Sequence, residues 1–141
     1  MSISVAAPAP YAPLNAIGFS QADLSVSPVS ALNPLPVRVL APTPAAALAG
    51  ETASTAQVGP FAPVTGVPIM LTLAGTWSGT VRVLRSVNGG ANRLPLTAAG
   101  SPWGHYTANC CEPVWEESVP GSTFYLDITL TAGTLTYRME Q

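Results

Sequence analysis

Lysine does not occur in this chain, and charge of either sign is scarce. Five Arg and seven Asp or Glu make up 9 % of 141 residues, against about 25 % in an average soluble domain. The net charge is −2 and the arginines are scattered, so no basic footprint exists for a nucleic-acid binder driven by phosphate contacts. Histidine occurs once, at His105, so one chain cannot offer two imidazoles to a metal. Cysteine occurs only as the neighbours Cys110 and Cys111. An ordinary disulfide wants Cα atoms ~5.5 Å apart, which adjacent residues do not reach without strain. A Gly-x-Ser-x-Gly nucleophile motif is missing. Asn88-Gly89-Gly90 lacks the Lys and the following helix of a phosphate-binding loop. These absences point to a protein without catalysis, cofactor or metal.

Scarce charge does not mean disorder here, because 48 % of the chain is hydrophobic and disordered chains combine low hydrophobicity with high net charge. Nor does it mean a membrane span. Residues 52–81 carry no charge, a run long enough for a bilayer. Pro60, Pro63, Pro68, Gly59, Gly66 and Gly75 interrupt any continuous helix there. The first residues have no basic segment, and Pro8, Pro10 and Pro13 break any apolar run, so no secretion signal is expected. A surface this short of charge instead predicts burial against a partner.

Proline is abundant and unevenly spread. Residues 1–68 hold eleven of the fifteen Pro and three charges, Asp23, Arg38 and Glu51. Ala6-Ala7-Pro8-Ala9-Pro10 and Ala41-Pro42-Thr43-Pro44 favour polyproline II. Leu35-Pro36-Val37-Arg38-Val39-Leu40 suits a short edge strand, and residues 45–49 suit one helical turn. Residues 1–65 thus read as an extended Pro/Ala-rich arm with short strands. Its exposed apolar groups for a partner would be Pro8, Pro10, Tyr11, Pro13, Phe19, Leu35, Val37, Val39 and Phe61.

Residues 66–141 read as an all-β domain, a small antiparallel β-sandwich of Ig-like or jelly-roll-like type. Residues 69–73 predict a strand ending at Gly75, and residues 80–85 another. Asn88-Gly89-Gly90 predicts a hairpin turn, with residues 93–97 returning as a short strand that Pro95 places at an edge. Pro120-Gly121-Ser122 predicts a second turn. Phe124, Leu126, Ile128 and Leu130 then share one face. Ala132-Gly133 is expected to turn the chain before a last strand buries Leu135, Tyr137 and Met139. About 73 residues make a marginal sandwich, since such a size buries only roughly 60 to 65 % of its unfolded surface. Stability would come from the arm, from oligomerisation or from a larger body.

Three groups of side chains invite a chemical reading. His105 with Cys110, Cys111 and Glu112 has the wrong spacing for zinc, and one buried and one half-exposed thiol is the expectation. Glu112, Glu116 and Glu117 form the acidic cluster. Glu116 and Glu117 would face opposite sides of a strand, which predicts solvated charges on an edge rather than a catalytic pair. Trp77, Trp103 and Trp115 could stack on sugars, although aromatics in small β domains more often serve core or interface. Each arginine reads as a solvated strand-face charge able to pair with acidic neighbours.

From Trp77 onward the sequence resembles small tailed-phage structural proteins. Trp77-Ser78-Gly79-Thr80-Val81-Arg82-Val83-Leu84-Arg85-Ser86-Val87-Asn88-Gly89-Gly90, followed by Leu94-Pro95-Leu96-Thr97, is similar to a strand and turn found there. Val114-Trp115-Glu116-Glu117-Ser118-Val119-Pro120-Gly121 resembles an acidic segment before an aromatic strand, here Phe124-Tyr125-Leu126-Asp127-Ile128-Thr129. Residues 132–141 resemble the closing strand. The likeness covers residues 66–141 and leaves the arm unexplained. Arg93 stands where an aromatic is common, and the cysteine pair is peculiar to this chain. The resemblance implies a non-catalytic virion component assembled in a host cytoplasm. The leading expectation is a capsid decoration protein whose arm binds the major capsid protein or other virion proteins. It would be a homo-oligomer, a trimer, with no nucleic-acid or membrane partner. A tail, fibre or head–tail joint component and a host-carbohydrate-binding module are the alternatives.

Overall fold

A computed structural model describes residues 18–20, 26–32, 34–38 and 40–141. The chain divides into two units, Met1–Ala41 and Pro42–Gln141. Among the described residues there are eleven strands and no helix.

In the first unit β1 (Gly18–Ser20) pairs antiparallel with β2 (Val26–Pro28). The edge strand expected at residues 35–40 is not formed in its described positions, 35–38 and 40. Pro34 and Pro36 remove the N–H groups that a ladder would use. Leu32, Leu35, Val37 and Leu40 are exposed, Leu32 at 99 % and Val37 at 75 %.

The second unit contains β3 (Leu48–Thr52), β4 (Ala56–Phe61), β5 (Pro68–Ser86), β6 (Leu94–Pro95), β7 (Thr97–Ala98), β8 (Ser101–Pro102), β9 (His105–Tyr106), β10 (Cys110–Glu116) and β11 (Thr123–Glu140). β5 and β11 form one antiparallel pair from Thr123 opposite Ser86 to Glu140 opposite Met70. On one half of this pair β10 adds to β5 and β3 adds to β11. On the other half β6 and β9 add to β5 and β4 adds to β11. β7 and β8 make a separate small ladder.

This corrects the sequence reading in several places. Gly75 does not end a strand, and Ala132-Gly133 does not reverse the chain; both lie inside the long pair. Residues 45–49 make no helical turn, because β3 starts at Leu48 and ladders onto β11, which outweighs an isolated turn. β3 and β4 belong to the sheet, so the compact unit starts at Pro42 rather than at residue 66. Phe61, counted above as an arm contact, pairs opposite Phe124 and is 1 % exposed, so it is core and closed to a partner.

The inward face follows from strand phase. On β5, Ile69, Leu71 and Leu73 point inward in one half, and Val81 and Val83 in the other. On β11 the phase changes: Phe124, Leu126 and Ile128 are buried, then Leu135, Tyr137 and Met139. The pairing moves from Leu130 opposite Gly79 to Ala132 opposite Ser78, so Thr131 is an extra residue. One inserted residue switches every following side chain to the other face. Both halves therefore feed one core, which also holds Leu96 and Val114. Each fully buried aliphatic or aromatic side chain in it contributes about 1.5–3 kcal/mol.

Two glycines let the pair turn this corner. Gly79 has φ 142° and Gly133 φ 84°. A Cβ at Gly79 would press on the Thr129 carbonyl oxygen, and one at Gly133 on the Thr76 carbonyl oxygen. The obstacle is backbone, which cannot swing aside. Gly79→Ala and Gly133→Ala should each cost about 2–3 kcal/mol in urea unfolding. Gly66→Ala, at φ 73° with open space around it, should cost about 1 kcal/mol. Equal losses at all three would show that close approach is not the constraint.

Candidate functional site

Segment 94–104 crosses the end of the sheet and carries the most exposed of the three tryptophans. Leu96 anchors it: its side chain is in the core, and its N–H donates to the Val83 carbonyl (3.2 Å). Val83 in turn donates to Gly104 (2.8 Å), and Trp103 N–H to Leu96 O (2.9 Å). Between these anchors β7 and β8 pair across a turn at Ala99 (φ 49°) and Gly100 (φ 81°). Trp103 is thereby held beside β9. Its Nε1–H donates to the Val114 carbonyl (2.7 Å), while the residue remains 47 % exposed.

A cleft of about 270 Å³ opens next to this ring, with Arg82, Thr97 and His105 beside Pro95, Leu96 and Pro102. Arg82 on β5 lies directly opposite His105 on β9 in the ladder. Since Val81 and Val83 point into the core, alternation aims Arg82 outward. Trp103 also borders a second, more open groove shared with Pro68, Pro113 and Trp115.

The other two tryptophans are less exposed. Trp77 is half-buried against the core, and its Nε1–H donates to Asn109 Oδ1 (2.8 Å). Asn109 Nδ2 donates onward to the Gly75 carbonyl (3.0 Å), so this tryptophan clamps the sheet corner. Trp115 is half-buried and packs on the core.

Glu117 departs furthest from its sequence reading. It is 1 % exposed rather than solvated. Its carboxylate accepts from Arg85 Nε (2.6 Å) and Nη2 (2.8 Å), Ser118 N–H (3.0 Å) and Val119 N–H (2.7 Å). Arg85 also reaches Ser122 Oγ (3.2 Å). The pair therefore stitches β5 to the 117–122 turn. The Arg85 hydrogen bond, helped by the two backbone N–H groups, holds the Glu117 carboxyl below the usual range against the opposing effect of burial. Glu116, its neighbour, is exposed. The remaining arginines of this unit differ in their partners. Arg93 stacks over Tyr125 (4.2 Å) and donates to Gln57 and to the Gly90 carbonyl, and Arg138 pairs with Glu140.

Cys110 is half-buried and Cys111 exposed. Burial, chiefly, pushes the Cys110 thiol up, and Thr72 Oγ1 donates to Cys111 Sγ (3.5 Å). Among the described residues no group of His, Cys, Asp and Glu is arranged to hold a metal ion, and no helix is long and apolar enough to cross a membrane.

Of the expected partner contacts, Leu35 and Val37 are exposed. Pro8, Pro10, Tyr11, Pro13 and Val39, and the Phe19 side chain, lie outside what is described. Sequence reasoning passed over Arg82 and Thr97 as a pair of cleft residues and used His105 only as a metal candidate. Strand alternation could have set Arg82 outward, but nothing in the sequence announces which strand pairs beside it. Comparison with known family models, curated proteins and solved structures finds no match.

Because the Glu117 carboxyl titrates lower folded than unfolded, its contribution is present above the unfolded value and lost as pH falls through the folded one. Stability should therefore drop below about pH 4.5, and Glu117→Gln should flatten that drop. Glu117→Ala should cost about 3 kcal/mol at pH 7. That is the low end for orphaning a buried partner, because Arg85 keeps 26 % of its side-chain surface in water. An acid limb unchanged in Glu117→Gln would assign it to other carboxylates.

Proposed function

We propose that the chain is a non-catalytic structural component of a tailed-phage virion, a capsid decoration protein. Its N-terminal arm docks on the major capsid protein lattice and on neighbouring copies, and its β unit, a small sandwich in this reading, faces outward. The assembly is a homo-oligomer, taken as a trimer. One observation carries the reading. Leu32, Leu35, Val37 and Leu40 stay exposed in a single copy, ahead of a β unit that packs most of its large apolar residues into one core and leaves Val87, Leu94, Trp103 and Val119 exposed. Apolar surface strung along a segment with one charge, Arg38, is what a protein partner covers, and main-chain groups of such a segment can join a partner's sheet edge. The resemblance over residues 66–141 supports the same reading. Many copies on one particle let weak contacts suffice through avidity.

The test is occupancy on purified particles of a chain lacking residues 2–41, which keeps every strand of the second unit. Occupancy should fall at least about tenfold, as avidity is lost, while far-UV circular dichroism keeps its strand signal. Unchanged occupancy would end the arm-anchor reading. Copy number separates shell from tail: hundreds per particle fit decoration, a dozen or fewer fit a tail or joint component.

A further inference from the structure

The cleft beside Trp103 carries chemistry that docking does not use. In a chain with so few cations, three of the four arginines of the second unit are occupied: Arg85 by Glu117, Arg138 by Glu140, and Arg93 by Gln57 and Tyr125. Arg82 makes no ion pair, side-chain hydrogen bond or ring contact among the described residues, although Asp127 lies opposite it on β11. It stands exposed, with His105 opposite on its other side, at the wall of the Trp103 cleft. His105 is likewise without a side-chain partner.

We propose that this cleft binds an acidic saccharide, a sugar ring bearing a carboxylate. Trp103 offers the flat apolar surface on which the C–H face of a pyranose packs, and its Nε1–H bond to Val114 fixes the ring before the ligand arrives. Pro95 and Pro102 extend that apolar wall. The Arg82 guanidinium supplies a planar fork that matches a carboxylate bidentately. His105 and the Thr97 hydroxyl face the same space for ring hydroxyls. A volume of about 270 Å³ sits at the small end of ligand sites, suited to one or two sugar rings. A neutral sugar would leave Arg82 unused, and an acidic peptide would leave the tryptophan face unused. The site lies wholly on the second unit and stands independently of the arm.

The experiment titrates the full chain with sialyllactose, trigalacturonate, maltotriose and tetraglutamate. Readouts are the Trp103 indole resonance and calorimetry. One of the two acidic saccharides should bind and shift that resonance. Arg82→Gln and Trp103→Ala should each weaken it about tenfold or more, while Arg138→Gln, remote from the cleft, leaves it unchanged. Arg82 is on an exposed strand face, so Arg82→Gln carries the test if Trp103→Ala fails to fold. No response to either acidic saccharide overturns the proposal. So does equal binding of maltotriose, or tighter binding of tetraglutamate.

Discussion

Everything in the second unit hangs on one constraint: two long antiparallel strands must bend together without separating. β5 and β11 stay paired across the corner, and backbone approaches backbone so closely at Gly79 and Gly133 that a Cβ has no room. The bend alone would not make a core. Thr131 adds the extra residue that resets the phase of β11, so that both halves direct their apolar sets inward. Glycine and bulge thus do separate tasks, one permitting the path of the chain and the other preserving the sidedness of the sheet.

The rim of the sheet depends on polar stitching that follows from this frame. The Glu117 carboxylate gathers Arg85 and two backbone N–H groups, tying a turn to the middle of the sheet. Ser86 and Asn88 play the corresponding part at the hairpin, where Ser86 Oγ accepts from Gly90 N–H (2.9 Å) and Asn88 Oδ1 accepts from Asn92 N–H (2.9 Å). Gln141 binds the 64–67 loop through both ends of its amide. With so few charges, the arginine left without a partner among the described residues stands out.

Two of the surfaces left open after folding differ in kind. Leu32, Leu35, Val37 and Leu40 expose aliphatic side chains beside the single charge of Arg38, suited to contact with a protein. The Trp103 cleft mixes an aromatic face with a guanidinium, an imidazole and a hydroxyl, suited to a small polar ring. A decoration protein bearing such a cleft would present a ligand site in many copies, where weak single-site affinity is multiplied.

Local patterns were legible because they depend on neighbours in sequence. The alternation of Phe124, Leu126 and Ile128 marked a buried strand face, and Asn88-Gly89-Gly90 and Pro120-Gly121-Ser122 marked turns. Gly75 was read as a strand end and Gly133 as a chain reversal, and both lie inside the paired strands. Whether a break reverses the chain or bends it depends on what lies across the ladder, and that is a long-range fact. The same holds for Glu117, whose burial needs Arg85 thirty-two positions away, and for Phe61, whose burial needs Phe124. Residue order alone pointed to an all-β chain with its charge deficit concentrated in the first 68 residues. Strand pairing across the fold settled that β3 and β4 belong to the sheet, that Trp103 is more exposed than Trp77 or Trp115, and that Arg82 lies opposite His105. Those outcomes rest on strand pairing and burial, which period and composition do not encode.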